Sequence, residues 1–154
     1  MDRIGLRAAE PHEAAAITEL ARRSKAHWGY SPDFLALVRD MLTVHPDEIR
    51  EDRVVVADHA GTLLGYYRLE GRPPNGELAD LFVEPRAIGT GLGRRLWEHA
   101  VASARKRGFR QLELESDPNA ESFYRHMGAE RVGEFEAASG RLLPIMRIEL
   151  TGPD

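Results

Sequence analysis

The chain has 154 residues, a formal net charge of −4 and no cysteine. That length suits one domain with a sizeable core, spanning 1–154. The acidic balance disfavours a nucleic-acid groove binder. The missing thiols exclude disulfides, thiolate zinc sites and a cysteine nucleophile. The leading residues Met1 to Arg7 lack a signal-peptide core, and no apolar run approaches the roughly 18 residues of a membrane span. A cytoplasmic protein with no membrane partner is the expectation.

In chain order, Ile4 to Arg7 reads as a short strand. Glu10-Pro11 opens a helix, with Ala16, Ile17, Leu20 and Ala21 at helical spacing as far as about Ser24. Ser31-Pro32 opens a second helix, whose apolar stripe is Phe34, Leu35, Val38, Met41 and Leu42, and His45-Pro46-Asp47 breaks it. Val54 to Ala57 is a strand, Asp58 to Gly61 a hairpin turn, and Leu63 to Leu69 the return strand. After a loop from Arg72 to Gly76, Glu77 to Val83 reads as a central strand covered on both faces. A long helix carries Leu92, Leu96, Trp97, Ala100, Val101 and Ala104 on one stripe and is capped by Gly108. Gln111 to Glu115 is a strand and Asn119 to Met127 a short helix. Strands near Arg131–Glu136 and Leu142–Leu150 finish the chain, the last weakened at its start by Pro144. This order predicts an α/β fold with a mixed sheet and no internal repeat.

Between the central strand and the long helix lies Gly89-Thr90-Gly91-Leu92-Gly93. The first N–H groups of a helix have no internal partner and carry the positive end of the helix dipole. Glycines let that backbone approach phosphate oxygens closely. The turn is therefore an anion site suited to a diphosphate. A Rossmann fingerprint fails, because Arg94 or Leu96 stands where its last glycine belongs. A Walker loop fails for want of lysine. Histidines and carboxylates show no metal-ligand spacing, so no metal is expected.

Val83-Glu84-Pro85, the glycine turn and Leu96 resemble the central motif of the GCN5-related N-acetyltransferase superfamily, V-x-P-x-x-(Gln/Arg)-x-x-G-x-(Gly/Ala)-x-x-L. Asp117 to Ala129, with Asn119, Ala120, Phe123, Tyr124 and Gly128, resembles its second motif. Two departures stand out: Ile88 replaces the usual Gln or Arg, and Asp117 occupies the usual Asn position. Backbone amides must then carry more of the phosphate binding, with Arg86, Arg94 or Arg95 available to supply charge. The resemblance implies a single-domain fold with a mostly antiparallel mixed sheet, a splayed parallel strand pair and helices on both faces. It implies acetyl-CoA as acyl donor and direct transfer of acetyl to the amine of a small molecule or peptide. A non-catalytic acyl-CoA-binding or sensing domain on the same fold is the alternative.

By the same resemblance, Leu81, Phe82 and Val83 pair with the pantetheine arm. Ile88, Gly89, Thr90, Gly91, Leu92, Gly93 and Arg94 meet the pyrophosphate, and Asn119, or Asp117 in its place, completes the cofactor set with Ser122 and Phe123. An amine with a pKa near ~10.4 is neutral in only about one molecule per thousand at pH 7, a cost on the order of 4 kcal/mol unless a base assists. Glu77 is the first candidate base and Asp80, on the opposite face, the second. Tyr124 is the candidate to stabilise the leaving thiolate. His27, Trp28 and Tyr30 are candidates for the acceptor pocket, where aromatic faces suit a cation. A homodimer through the C-terminal strands is a further expectation.

Overall fold

The computed structural model describes residues 3–137 and 139–150. Along the chain run β1 (Gly5–Ala8), α1 (Ala14–Ala26), α2 (Pro32–Val38), β2 (Val54–His59), β3 (Thr62–Arg72), β4 (Asn75–Val83), α3 (Leu92–Lys106), β5 (Gln111–Glu115), α4 (Glu121–His126), β6 (Glu130–Glu136) and β7 (Leu142–Glu149). Hydrogen-bonded neighbours follow the order β1-β2-β3-β4-β5-β7-β6. β4 and β5 form a parallel pair, and the registers of β1–β2, β2–β3, β5–β7 and β6–β7 are antiparallel. This is the expected α/β fold on a mixed sheet. No described helix is long and apolar enough to cross a membrane.

Contacts divide the chain into two compact units. The first runs up to Arg68 and includes Asp80–Leu96; the second holds Leu69–Ala79 and the chain from Trp97 onward.

In the first unit, α1 is fixed at its start by charge. The Glu13 carboxylate accepts the Glu10 N–H at 2.9 Å and a two-pronged donation from Arg7 at 2.9 and 2.7 Å. The helix then buries Ile17, Leu20 and Ala21 in one cluster with Val54 and Val56 of β2 and Tyr66 of β3. Thr18 Oγ1 accepts the Val44 N–H at 2.9 Å and so clamps the segment after α2 against α1. Ser31 caps α2, its Oγ accepting the Phe34 N–H at 3.1 Å. The predicted stripe of α2 extends too far. The helix ends at Val38, a 3-10 turn covers Asp40–Leu42, and Met41 turns out to solvent, because the tighter winding breaks the α-helical spacing.

In the second unit, α3 closes as expected at Gly108, with the Phe109 N–H donating to Ala104 O at 3.0 Å. Phe109 is buried, and its ring lies where a side chain on Gly76 would be. β5 joins β7 from Gln111↔Glu149 to Glu115↔Ile145. Leu112, Leu114 and Met146 of these strands are buried. Pro144 lies inside β7, opposite Glu134, and its carbonyl accepts the Ser116 N–H at 2.8 Å. The proline thus removes a donor from β7 but keeps an acceptor in use.

β4 departs from the sequence expectation. Asn75 and Glu77 are exposed while Gly76 and Leu78 are buried, and Ala79 to Val83 are half-buried. The strand is covered on one face over its first half, since its alternate residues there are polar. Its parallel ladder joins Asn75, Gly76 and Glu77 to Gln111, Leu112 and Glu113. β4 itself continues to Val83.

Candidate active site

In the first unit, β4 delivers the chain into the glycine turn. The Glu84 N–H donates to Leu64 O at 2.8 Å, which roots the turn on β3. A 3-10 turn over Pro85–Ala87 follows. Two amides are spent inside the turn: Ile88 N–H donates to Pro85 O at 3.2 Å, and Thr90 N–H to Ala87 O at 3.3 Å. Gly89 and Gly91 adopt φ of +85° and +88°, and nothing lies within 4 Å of where their Cβ atoms would be. Leu92 and Gly93 open α3, where helix geometry leaves N–H groups without intrahelical acceptors. Within the expected 88–94, the Ile88 and Thr90 amides are thus taken up inside the turn. Leu92 buries its side chain, whereas Ile88, Thr90 and Arg94 are exposed. Arg95 turns to the start of β1, with Nη2 donating to Ile4 O at 2.9 Å.

Leu81, Phe82 and Val83 occupy the half-buried end of β4, and the Phe82 ring lies 5.9 Å from that of Tyr66. Asp80 is engaged. Its Oδ2 accepts from Arg68 Nε at 2.9 Å, and Arg68 Nη1 donates to Glu48 Oε2 at 3.1 Å. Burial pushes the Asp80 carboxyl above its ordinary range, against the pull of Arg68. Tyr66, fully buried, lies beside Asp80 without closing a hydrogen bond of standard geometry, and its hydroxyl is held well above the usual phenol range by burial.

The aromatic candidates at the end of α1 form two separate pairs. His27 meets Trp28 edge-on at 5.2 Å, and Tyr30 stacks with Phe34 at 4.5 Å. Lys25 Nζ sits 5.3 Å from the Tyr30 ring centre, so one aromatic face already holds a cation of this chain. Trp28 is 43% exposed. One turn before His27, Arg23 reaches Glu84 in a forked pair, both bonds 2.8 Å.

In the second unit, Glu77 lines a cavity of about 440 Å³ together with Gly71, Gln111, Glu113, Glu115 and Ile145. Arg147 pairs with Glu113 at 2.7 Å, and the lining holds three carboxylates and no basic side chain. Glu77 thus lines this cavity, while Asp80 belongs to the Arg68 cluster of the first unit. Tyr124 is buried, with its ring 5.7 Å from Trp97 and 5.2 Å from Phe123. Asp117 acts locally, its Oδ1 accepting from Asn119 N at 2.8 Å and from Asn119 Nδ2 at 3.0 Å. That Asx turn starts the α4 segment, and Ser122 beyond it is exposed.

Arg68, Glu48, Tyr66, Arg23 and Glu84 were absent from the sequence-based site. Arg68 and Asp80 did leave a trace, as opposite charges set in two mostly apolar strands joined by a hairpin. The Arg23–Glu84 pair spans 61 positions and left none.

Comparison with known proteins adds to this geometry. The acetyltransferase (GNAT) domain matches residues 39–150. The 5-NmdU N-acetyltransferase of Pseudomonas phage PaMx11 is 30% identical over 142 residues, covering 91% of this chain and 96% of that protein. Among solved structures, the PaiA N-acetyltransferase from Thermoplasma acidophilum, in complex with coenzyme A, superposes with a TM-score of 0.76 at 19% identity, covering 96% of this chain and 99% of that one. YncA from Salmonella typhimurium, solved with acetyl-CoA, gives a TM-score of 0.69 at 22% identity, covering 99% and 98%.

Proposed function

Because the chain belongs to the acetyltransferase (GNAT) family and is an acyltransferase, we propose that it moves an acetyl group from acetyl-CoA directly onto a primary amine of a small molecule or peptide. The observation that carries the donor reading is the glycine turn. Open space at the Cβ positions of Gly89 and Gly91, ahead of the first turn of α3, suits close approach of a pyrophosphate. The coenzyme A and acetyl-CoA held by PaiA and YncA support the same donor.

The turn binds phosphate mainly through main-chain N–H groups, since Ile88 offers none from its side chain. The pantetheine arm runs along Leu81, Phe82 and Val83, where β4 continues beyond its parallel ladder and its backbone can pair with amides. The acceptor reading rests on the cavity lined by Glu77, Glu113 and Glu115, whose carboxylates suit a protonated amine. Glu77 takes the amine proton there. Asp80 is second, because Arg68 already holds one of its oxygens. As the amine nitrogen bonds to the acetyl carbon, the C–S bond breaks and the electron pair leaves on sulfur. Tyr124 steadies that thiolate with its hydroxyl, a phenol near ~10 against a thiol near ~8.5.

Thiol release from acetyl-CoA, measured over a panel of small amines and amino-terminal peptides, tests the reading. Acceptor-dependent release supports it. Coenzyme A binding with no release on any amine would favour the acyl-CoA-binding alternative.

A further inference from the structure

We propose that Arg23 is a positioning residue for the acyl donor: by pairing with Glu84 it removes an opposing negative charge from the mouth of the anion turn. The inference rests on the coenzyme A reading above. Glu84 is the only acidic residue between Val83 and Trp97, so it alone opposes an incoming anion from within this segment. Its side chain is 12% exposed, which limits how far water screens it. It is also built into the turn, since its N–H bonds Leu64 O and its carbonyl accepts the Ala87 N–H at 2.8 Å. A repulsive charge here would therefore act where the backbone is least able to move away.

Arg23 answers that charge with a planar fork, Nε to Oε1 and Nη2 to Oε2, both at 2.8 Å. The Arg23 side chain is 53% exposed, so it is not part of the core packing of α1. Its hydrogen bonds hold the Glu84 carboxyl below the usual range, which keeps both partners charged and mutually neutralised at working pH. Arg86 also faces Glu84 electrostatically, from the next turn of chain. Neutralising Glu84 through Arg23 leaves Arg86 to act on the phosphates.

The test uses Arg23→Gln, Glu84→Gln and the double variant, with coenzyme A titrated by calorimetry at low and moderate salt and thermal unfolding run in parallel. Arg23→Gln should weaken coenzyme A about fivefold at low salt, and less as salt rises. The double variant should return to within about twofold of the wild type, because the opposing charge is gone. In turnover, Arg23→Gln should raise KM for acetyl-CoA and leave kcat at saturation in place. Wild-type affinity in Arg23→Gln would overturn the proposal. So would a double variant as weak as the single one, since loss of shape rather than charge would then be the cause. A wild-type chain that binds no coenzyme A would overturn the donor reading and this inference with it.

Discussion

Arg68 stands between two carboxylates, donating from Nε to Asp80 Oδ2 at 2.9 Å and from Nη1 to Glu48 Oε2 at 3.1 Å. One guanidinium therefore joins β3 and β4 to the segment that follows α2. Its side chain is 17% exposed and that of Asp80 14%, so neither charge is well hydrated. A pair of this kind is costly to break and worth less than its Coulomb energy suggests, since desolvation offsets much of the attraction.

The pH dependence of stability follows from the sign of the Asp80 shift. The folded carboxyl titrates above its ordinary value of 3.8. Between 3.8 and the folded value, the native chain holds more protons than the unfolded one. Stability from this group is then full below 3.8 and declines as pH rises through the folded value. Burial sets the direction of the shift, Arg68 and Tyr66 pull against it, and Glu48 adds to it. Asp80→Asn should remove that decline, seen as a flatter pH series in urea unfolding.

At the donor turn, Gly91→Val should weaken coenzyme A binding about tenfold or more, while Ile88→Ala should change it little. A valine at φ +88° is strained even though the space around it is open. Ile88 contributes no polar side-chain group. Titration of coenzyme A into both variants gives the comparison, and equal losses would reassign the binding from backbone to side chain.

Removing the Tyr124 hydroxyl should separate chemistry from binding. Tyr124→Phe keeps the ring against Trp97 and Phe123, so the fold should persist. Turnover should fall about tenfold or more with coenzyme A affinity retained. Unchanged turnover would remove Tyr124 from the reaction.

Glu77→Gln should cut kcat/KM by roughly a hundredfold and erase the rise of rate with pH that a carboxylate base imposes. The base works only when deprotonated, so the lost limb is the acid one. Asp80→Asn should leave that limb standing. The opposite outcome in the two profiles would move the role to Asp80.

Gly76→Ala should destabilise the second unit by about 1–3 kcal/mol. The added methyl would overlap the buried Phe109 ring, which has little room to retreat. Thermal unfolding reads the loss directly.

Local features were legible wherever one chain segment carried the whole signal. The strand Gln111–Glu115 and the Gly108 cap are examples, because alternation and a glycine after a helical stripe each act within a few residues. β4 was misread because its apolar end, Ala79 to Val83, hid the polar alternation of Asn75 and Glu77. Met41 was misplaced because helical periodicity assumes the helix continues, and here it tightens after Val38. The glycine turn was legible as a turn between a strand and a helix, but not that two of its amides bond back to Pro85 and Ala87. The Arg23–Glu84 pair was out of reach, because its two residues meet only after α1 has docked on the strands.

Arg95 lies in the first turn of α3 yet spends a donor on the carbonyl of Ile4. The Ile4 carbonyl thereby fixes where that guanidinium sits and leaves its charge intact, so the leading segment of the chain decides where beside the turn a positive charge is held.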